Sequence, residues 1–98
     1  MIYKIFQIKD IRNCDYSFRD WDETNGNFNI NDYKMVYSGE LNFEENKSAI
    51  AMLDYLFEMF NIRHPSDYRG RSMSVSDIVS LDCGYYYCDS FGWKKINI

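Results

Sequence analysis

At 98 residues, with 46% hydrophobic and 18% aromatic side chains and one proline, the chain has the composition of a single folded domain with one modest core, not of a disordered segment. Its apolar runs are too interrupted for a membrane span, and a net charge of −4 argues against general nucleic-acid binding, which needs a basic footprint to displace counterions. The charge is uneven: residues 1–60 hold eleven acids against six bases, the remainder four against five. An acidic first half keeps a protein soluble, and it also suits a basic partner or mimicry of a phosphate backbone.

The opening "MIYKIFQIK" places Tyr3 and Ile5 on one face and Ile2, Phe6 and Ile8 on the other, the pattern of a strand buried on both sides and central in a sheet. It lacks the basic start, apolar run and small-residue cleavage site of a signal peptide, so a cytoplasmic location is expected. The Asn- and Asp-rich stretch that follows has a turn signal at Asn25-Gly26, and Tyr16, Phe18 and Trp21 are spaced for a short helical turn pressed on the core. In "DYKMVYSGEL" the alternation predicts a second strand with Tyr33, Met35, Tyr37 and Leu41 on one inward face.

The spacing of Ile50, Leu53, Leu56, Phe57 and Phe60 predicts a helix over residues 43–60, with Glu44 and Glu45 in its first turn and Met52 and Met59 flanking the core stripe. Pro65 disfavours helical geometry at His64 and ends it. "DIVSLDCGYYYCD" then reads as a β-hairpin turning at Cys83-Gly84. That register pairs Leu81 with Tyr86 and Val79 with Cys88, with Val79, Leu81, Tyr86 and Cys88 inward. The other face, with Ser80, Asp82, Tyr85, Tyr87, Asp89 and Ile78, is expected to be mostly wet.

Ser72, Ser74 and Ser76 alternate with Met73 and Val75 as an extended lead-in to that hairpin, where serine hydroxyls and the Asp77 carboxylate satisfy backbone donors. A serine hydrolase needs a strained elbow and an oxyanion hole, and neither is written here. No enzymatic activity is expected, and the single histidine, His64, reads as structural or as part of a binding surface with Asp67. Three cysteines, Cys14, Cys83 and Cys88, read as thiols, and the C-x4-C spacing lacks the tight knuckle of a zinc site. No nucleotide or metal motif is present, so no cofactor and no metal are expected. Tyr85, Tyr87 and Trp93, with Arg69 and Arg71, are the remaining candidates for a contact surface, because exposed aromatic rings supply area at low entropic cost.

"YKIFQIKD", "NDYKMVYSGEL" and "FNIRHPSDYRGRSMSVSDIVSLDCGYYYCDSFGWKKI" together resemble the YodL-like domain of conjugative transposons, plasmids and phages of Firmicutes. Asp32, Tyr68 and Arg71 depart from its pattern, standing where the family has Asn, Phe and His. The resemblance implies carriage on a mobile element. The expected architecture is a single α+β domain over residues 1–98: a mainly antiparallel sheet of four or five strands with one principal helix across one face. The expected function is non-enzymatic binding of a host or mobile-element protein, with inhibition of a CRISPR or restriction nuclease as its specific form. The alternative is a nucleic-acid or nucleotide-ligand accessory domain using the basic, aromatic C-terminal half.

Overall fold

The computed structural model describes residues 1–42, 48–82 and 84–98. Five strands, β1 (Ile2–Ile8), β2 (Tyr33–Glu40), β3 (Ile78–Leu81), β4 (Gly84–Asp89) and β5 (Gly92–Ile96), form one antiparallel sheet in the order β2-β1-β3-β4-β5. One principal α-helix, α1 (Ala49–Ile62), lies on one face, so the architecture is α+β as the pattern predicts. β1 sits between β2 and β3, and its alternation feeds both sides of the sheet. Tyr3 and Ile5 join Leu53, Leu56, Phe60, Val79 and Leu81 under the helix, while Phe6 and Ile8 point the other way.

That other face is dry, which corrects the expectation of a wet one. Tyr87, Ile78, Ile8, Tyr33 and Ile96 form a second core beneath the segment 10–32, which contributes Tyr16, Trp21, Phe28 and Ile30. Trp21 packs edge-on to the Tyr87 ring at 5.1 Å and tilted against Phe28 at 5.1 Å, and Phe28 meets Tyr33 at 5.7 Å. Polar clamps hold this segment down: the Trp21 amide donates to Asp89 Oδ1 (2.7 Å), the Tyr87 hydroxyl to the Arg19 carbonyl (2.6 Å), and the Ser90 amide to Asp20 Oδ1 (2.6 Å). Tyr16 and Trp21 are therefore pressed on a core as predicted, but Phe18 is half exposed, with a left-handed φ of 62°.

β2 does not keep Tyr33, Met35, Tyr37 and Leu41 on one face. Ile5 pairs with Tyr37 and Phe6 with Met35, so Val36 is an extra residue and the side-chain alternation inverts at this bulge. Tyr33 consequently joins the second core, Tyr37 packs on the first, and Met35 is exposed. The hairpin register is also offset from the predicted one. Leu81 pairs with Gly84, Val79 with Tyr86 and Ile78 with Tyr87. An offset of two residues leaves each side chain on its expected face, since the period of a strand is two. Asp82, with φ 50°, takes the left-handed position, and Gly84 enters the strand. Asp is among the residues that tolerate that conformation. Cys83 lies outside the described residues.

α1 starts at Ala49, where Ser48 is the N-cap and its hydroxyl accepts from the Ala51 amide at 3.1 Å. Glu44 and Glu45, expected in the first turn, lie outside the described residues. The buried stripe is Met52, Leu53, Leu56 and Phe60, so Met52 belongs to the core proper and Ile50 and Phe57 fall on the exposed flank. α1 ends at Ile62, two residues beyond the predicted stop, and the Arg63 amide caps it on the Met59 carbonyl (2.8 Å). Leu53→Ala should cost about 2–5 kcal/mol of unfolding free energy by chemical denaturation, whereas Ile50→Ala should fall within about 0.5 kcal/mol of the parent. Equal costs at the two positions would contradict this helix orientation.

Candidate functional site

A buried polar knot ties the first strand to the segment ahead of β3. Gln7, fully enclosed, donates from Nε2 to the Arg71 carbonyl and to Asp77 Oδ2, both at 3.0 Å, and its Oε1 accepts from the Arg71 amide at 3.0 Å. Asp77 Oδ2 also accepts from the Ser74 amide (3.0 Å), and the Tyr68 hydroxyl donates to the Arg71 carbonyl. The chain between them runs so close that a Cβ on Gly70 would meet the Tyr68 hydroxyl at 2.5 Å and Gln7 Oε1 at 2.9 Å. Glycine is needed here for space. Asp77 Oδ1 and Ser74 Oγ are buried with no hydrogen-bond partner. Burial pushes the Asp77 carboxyl up to about 6, against the opposing pull of the Ser74 amide, Gln7 and the Arg71 charge.

The loop above this knot gathers four of the expected binding residues. Arg69 and Arg71 flank Gly70 on the wall of a pocket of about 310 Å³, which Gln7, Lys34, Met35 and Val36 complete. Asp67 accepts from the Tyr37 hydroxyl at 2.9 Å, and the exposed His64 places Nδ1 3.0 Å from the Pro65 carbonyl, with its ring 5.6 Å from Tyr68. No hydrogen bond links His64 to Ser74 or Ser76 among the described residues. Ser76 is buried, and its hydroxyl accepts from the Phe18 amide at 3.0 Å, the structural role expected of the serine run.

The three aromatic candidates do not form one surface. Tyr87 is fully buried in the second core, and Tyr85 is half-buried on that face, 6.2 Å from Phe6. Trp93 lies on the helix side, where Nε1 donates to Asp54 Oδ1 (3.1 Å) and the ring stands edge-on to Phe57 at 6.4 Å. Tyrosines on the hairpin read as amphipathic in sequence, and only the cover supplied by residues 10–32 reveals which face is dry. Lys34, Gln7 and Phe57 escaped sequence reasoning. The one signal for Gln7 was a polar residue between Phe6 and Ile8 in a strand with apolar residues on both faces.

Of the cysteines described, Cys14 is half-buried and Cys88 buried, both as free thiols. Burial, then the charges of Asp77 and Asp89, push Cys88 up to about 12, which makes it a poor nucleophile. Among the described residues no three His, Cys, Asp or Glu side chains are grouped to hold a metal, and no helix is long and apolar enough to cross a membrane.

These features define a small α+β domain whose polar centre braces the fold and whose exposed loops carry the free functional groups. The chain belongs to the YodL-like domain family, whose profile matches residues 2–98. It is similar to the Uncharacterized protein YodL of Bacillus subtilis (strain 168), with 36% identity over 70 residues. That match covers 66% of this chain and 66% of the relative, so it spans slightly less than two thirds of the relative's length. No solved structure matches the chain significantly. The opening strand and the "SVSD" string that carry the family resemblance meet at the Gln7–Asp77 hydrogen bond.

Because the folded state holds the Asp77 proton more tightly than the unfolded chain, whose value is near 3.8, this carboxyl contributes stability that is complete below about pH 4 and lost as pH rises through about 6. Asp77→Asn keeps an acceptor for Ser74 and Gln7 and removes the titration. Its unfolding free energy relative to the parent should therefore rise by roughly 2–3 kcal/mol between pH 4 and pH 7, measured by denaturant titration. Parallel pH profiles would contradict the buried, proton-binding carboxyl.

Proposed function

We propose that this chain is a non-catalytic protein-binding module that docks through the seam between α1 and β5. One observation carries the reading. Ile50, Asp54 and Phe57 recur at helical spacing along the outer flank of α1, and Trp93 of β5 packs beside Phe57. Ile50 and Phe57 are 47% and 37% exposed, and Phe91 at the β4–β5 turn is 99% exposed. Asp54 and Glu58 border the strip on the α1 side and Lys95 shares the sheet face of Trp93, so the chemistry favours a partner that inserts an apolar anchor with Lys or Arg directed at α1.

The mobile-element and phage context that the family resemblance implies supports a host or element-encoded protein as that partner. Inhibition of a defence nuclease of CRISPR or restriction type is the form of activity we put forward. The acidic surface fits an inhibitor that occupies a basic nucleic-acid channel, and it works against direct nucleic-acid binding.

A tagged chain should retain a specific host or nuclease protein, and Ile50→Arg combined with Phe57→Arg should weaken that capture by about tenfold or more without lowering the melting temperature. The captured nuclease should lose activity when the chain is added in stoichiometric amount. Equal capture by the variant, or binding of free DNA with a steep salt dependence, would contradict the reading.

A further inference from the structure

The pocket beside the β2 bulge has a charge pattern that the docking seam does not explain. In a chain with 15 acids and 11 bases, its polar wall is built from Lys34, Arg69 and Arg71 with no carboxylate lining it. The ion pair among the described residues is Arg19–Glu23, in the segment 10–32, so among those residues no acid lies within bridging distance of these three cations, and the buried Asp77 interacts with Arg71 only at longer range.

Both guanidinium groups are held in place before any ligand arrives. Arg69 Nη1 donates to the carbonyls of Ser66 (2.8 Å) and Tyr68 (3.2 Å), and Arg71 Nη2 to the carbonyl of Ile8 (3.3 Å). Arg71 Nε is buried with no acceptor among the described residues. An unpaired buried donor on a cation costs free energy unless something accepts from it. The two arginines straddle Gly70, which the Tyr68 and Gln7 contacts keep without a side chain, and Met35 and Val36 at the bulge add apolar lining.

We infer that this pocket binds a compact phosphomonoester, of which a nucleoside monophosphate is the type. The two held guanidiniums together with Lys34 match a dianion better than a single carboxylate, and guanidinium forks suit phosphate oxygens. A pocket of about 310 Å³ lies at the small end of ligand sites, which suits a mononucleotide rather than a polymer. The bulge that inverts β2 is what turns Val36 toward this loop. The site flanks β2, at the opposite edge of the sheet from the β5 seam, and is independent of it.

Calorimetric titration with AMP, adenosine and inorganic phosphate, together with amide chemical shifts, tests this directly. AMP should bind and shift the Arg69–Arg71 amides and the Gln7 side-chain amide. Phosphate should shift the same signals more weakly and be displaced by AMP. Adenosine should bind at least about tenfold more weakly than AMP, the loss expected when charge-assisted hydrogen bonds are removed. Lys34→Gln with Arg69→Gln, both exposed positions outside the polar knot, should weaken AMP by about tenfold or more with the fold intact, as their native-like spectra would show. The Ile50→Arg, Phe57→Arg variant should bind AMP unchanged, which separates this site from the docking seam. Adenosine binding as tightly as AMP, an unaffected Lys34/Arg69 variant, or no heat and no shift at millimolar AMP would each overturn the inference.

Discussion

The fold depends on covering both faces of one sheet when the described residues hold a single α-helix. β1 and β3 carry apolar side chains on both sides, so leaving either side open would expose a row of Ile, Val and Tyr to water. α1 covers one side. The other is covered by residues 10–32, a segment of two short 3-10 turns whose grip comes from rings and not from regular hydrogen bonding. Offset and edge-on aromatic pairs contribute beyond their area, and the interlocking of Trp21, Phe28, Tyr33 and Tyr87 suits a cover built from irregular backbone.

Buried phenols need partners, and here each partner is a piece of backbone or side chain that must itself be held. Tyr33 donates to the Ser76 carbonyl (2.6 Å), Tyr87 to the Arg19 carbonyl (2.6 Å) and Tyr16 to Asp32 (2.6 Å). Desolvation pushes all three hydroxyls well above the usual tyrosine range, so they stay neutral donors. The hydroxyls thus do for the second face what a helix's own hydrogen bonds do for the first: they satisfy a loop that would otherwise bury unpaired carbonyls. The Gln7–Asp77 knot extends the same logic to the loop after α1. With that loop fixed, Arg69 and Arg71 become preorganised groups, and the two edges of the sheet offer separate chemistries: cationic beside β2, apolar with charges of both signs beside β5.

How much of this could be read from sequence follows from which signals are local. The two-sided pattern of residues 2–8 placed β1 in the sheet interior, and the 3.6-residue period placed Leu53, Leu56 and Phe60 in the core. A bulge leaves no mark on alternation until its partner strand is known, so Val36 and the inversion after it were invisible. The helix period leaves an uncertainty of about one residue in the direction of the buried stripe, enough to exchange Met52 for Ile50 and Phe57. Arg69, Arg71, His64 and Asp67 were legible as neighbours because they are adjacent in the chain. Gln7 was not, because the residue it binds is 64 positions away. Tyr85 and Trp93 were misjudged as one surface because strand pairing sends them to opposite faces.

The dryness of the second face is the claim on which the register, the clamps and the separation of the two edges all stand. Nuclear Overhauser contacts from the Tyr87 ring test it most directly. The account requires strong contacts to the Trp21 and Phe28 rings, with the Tyr87 hydroxyl proton protected from exchange. A Tyr87 ring in contact only with its own strand and with water, and residues 21–28 showing no contact to the sheet, would contradict it.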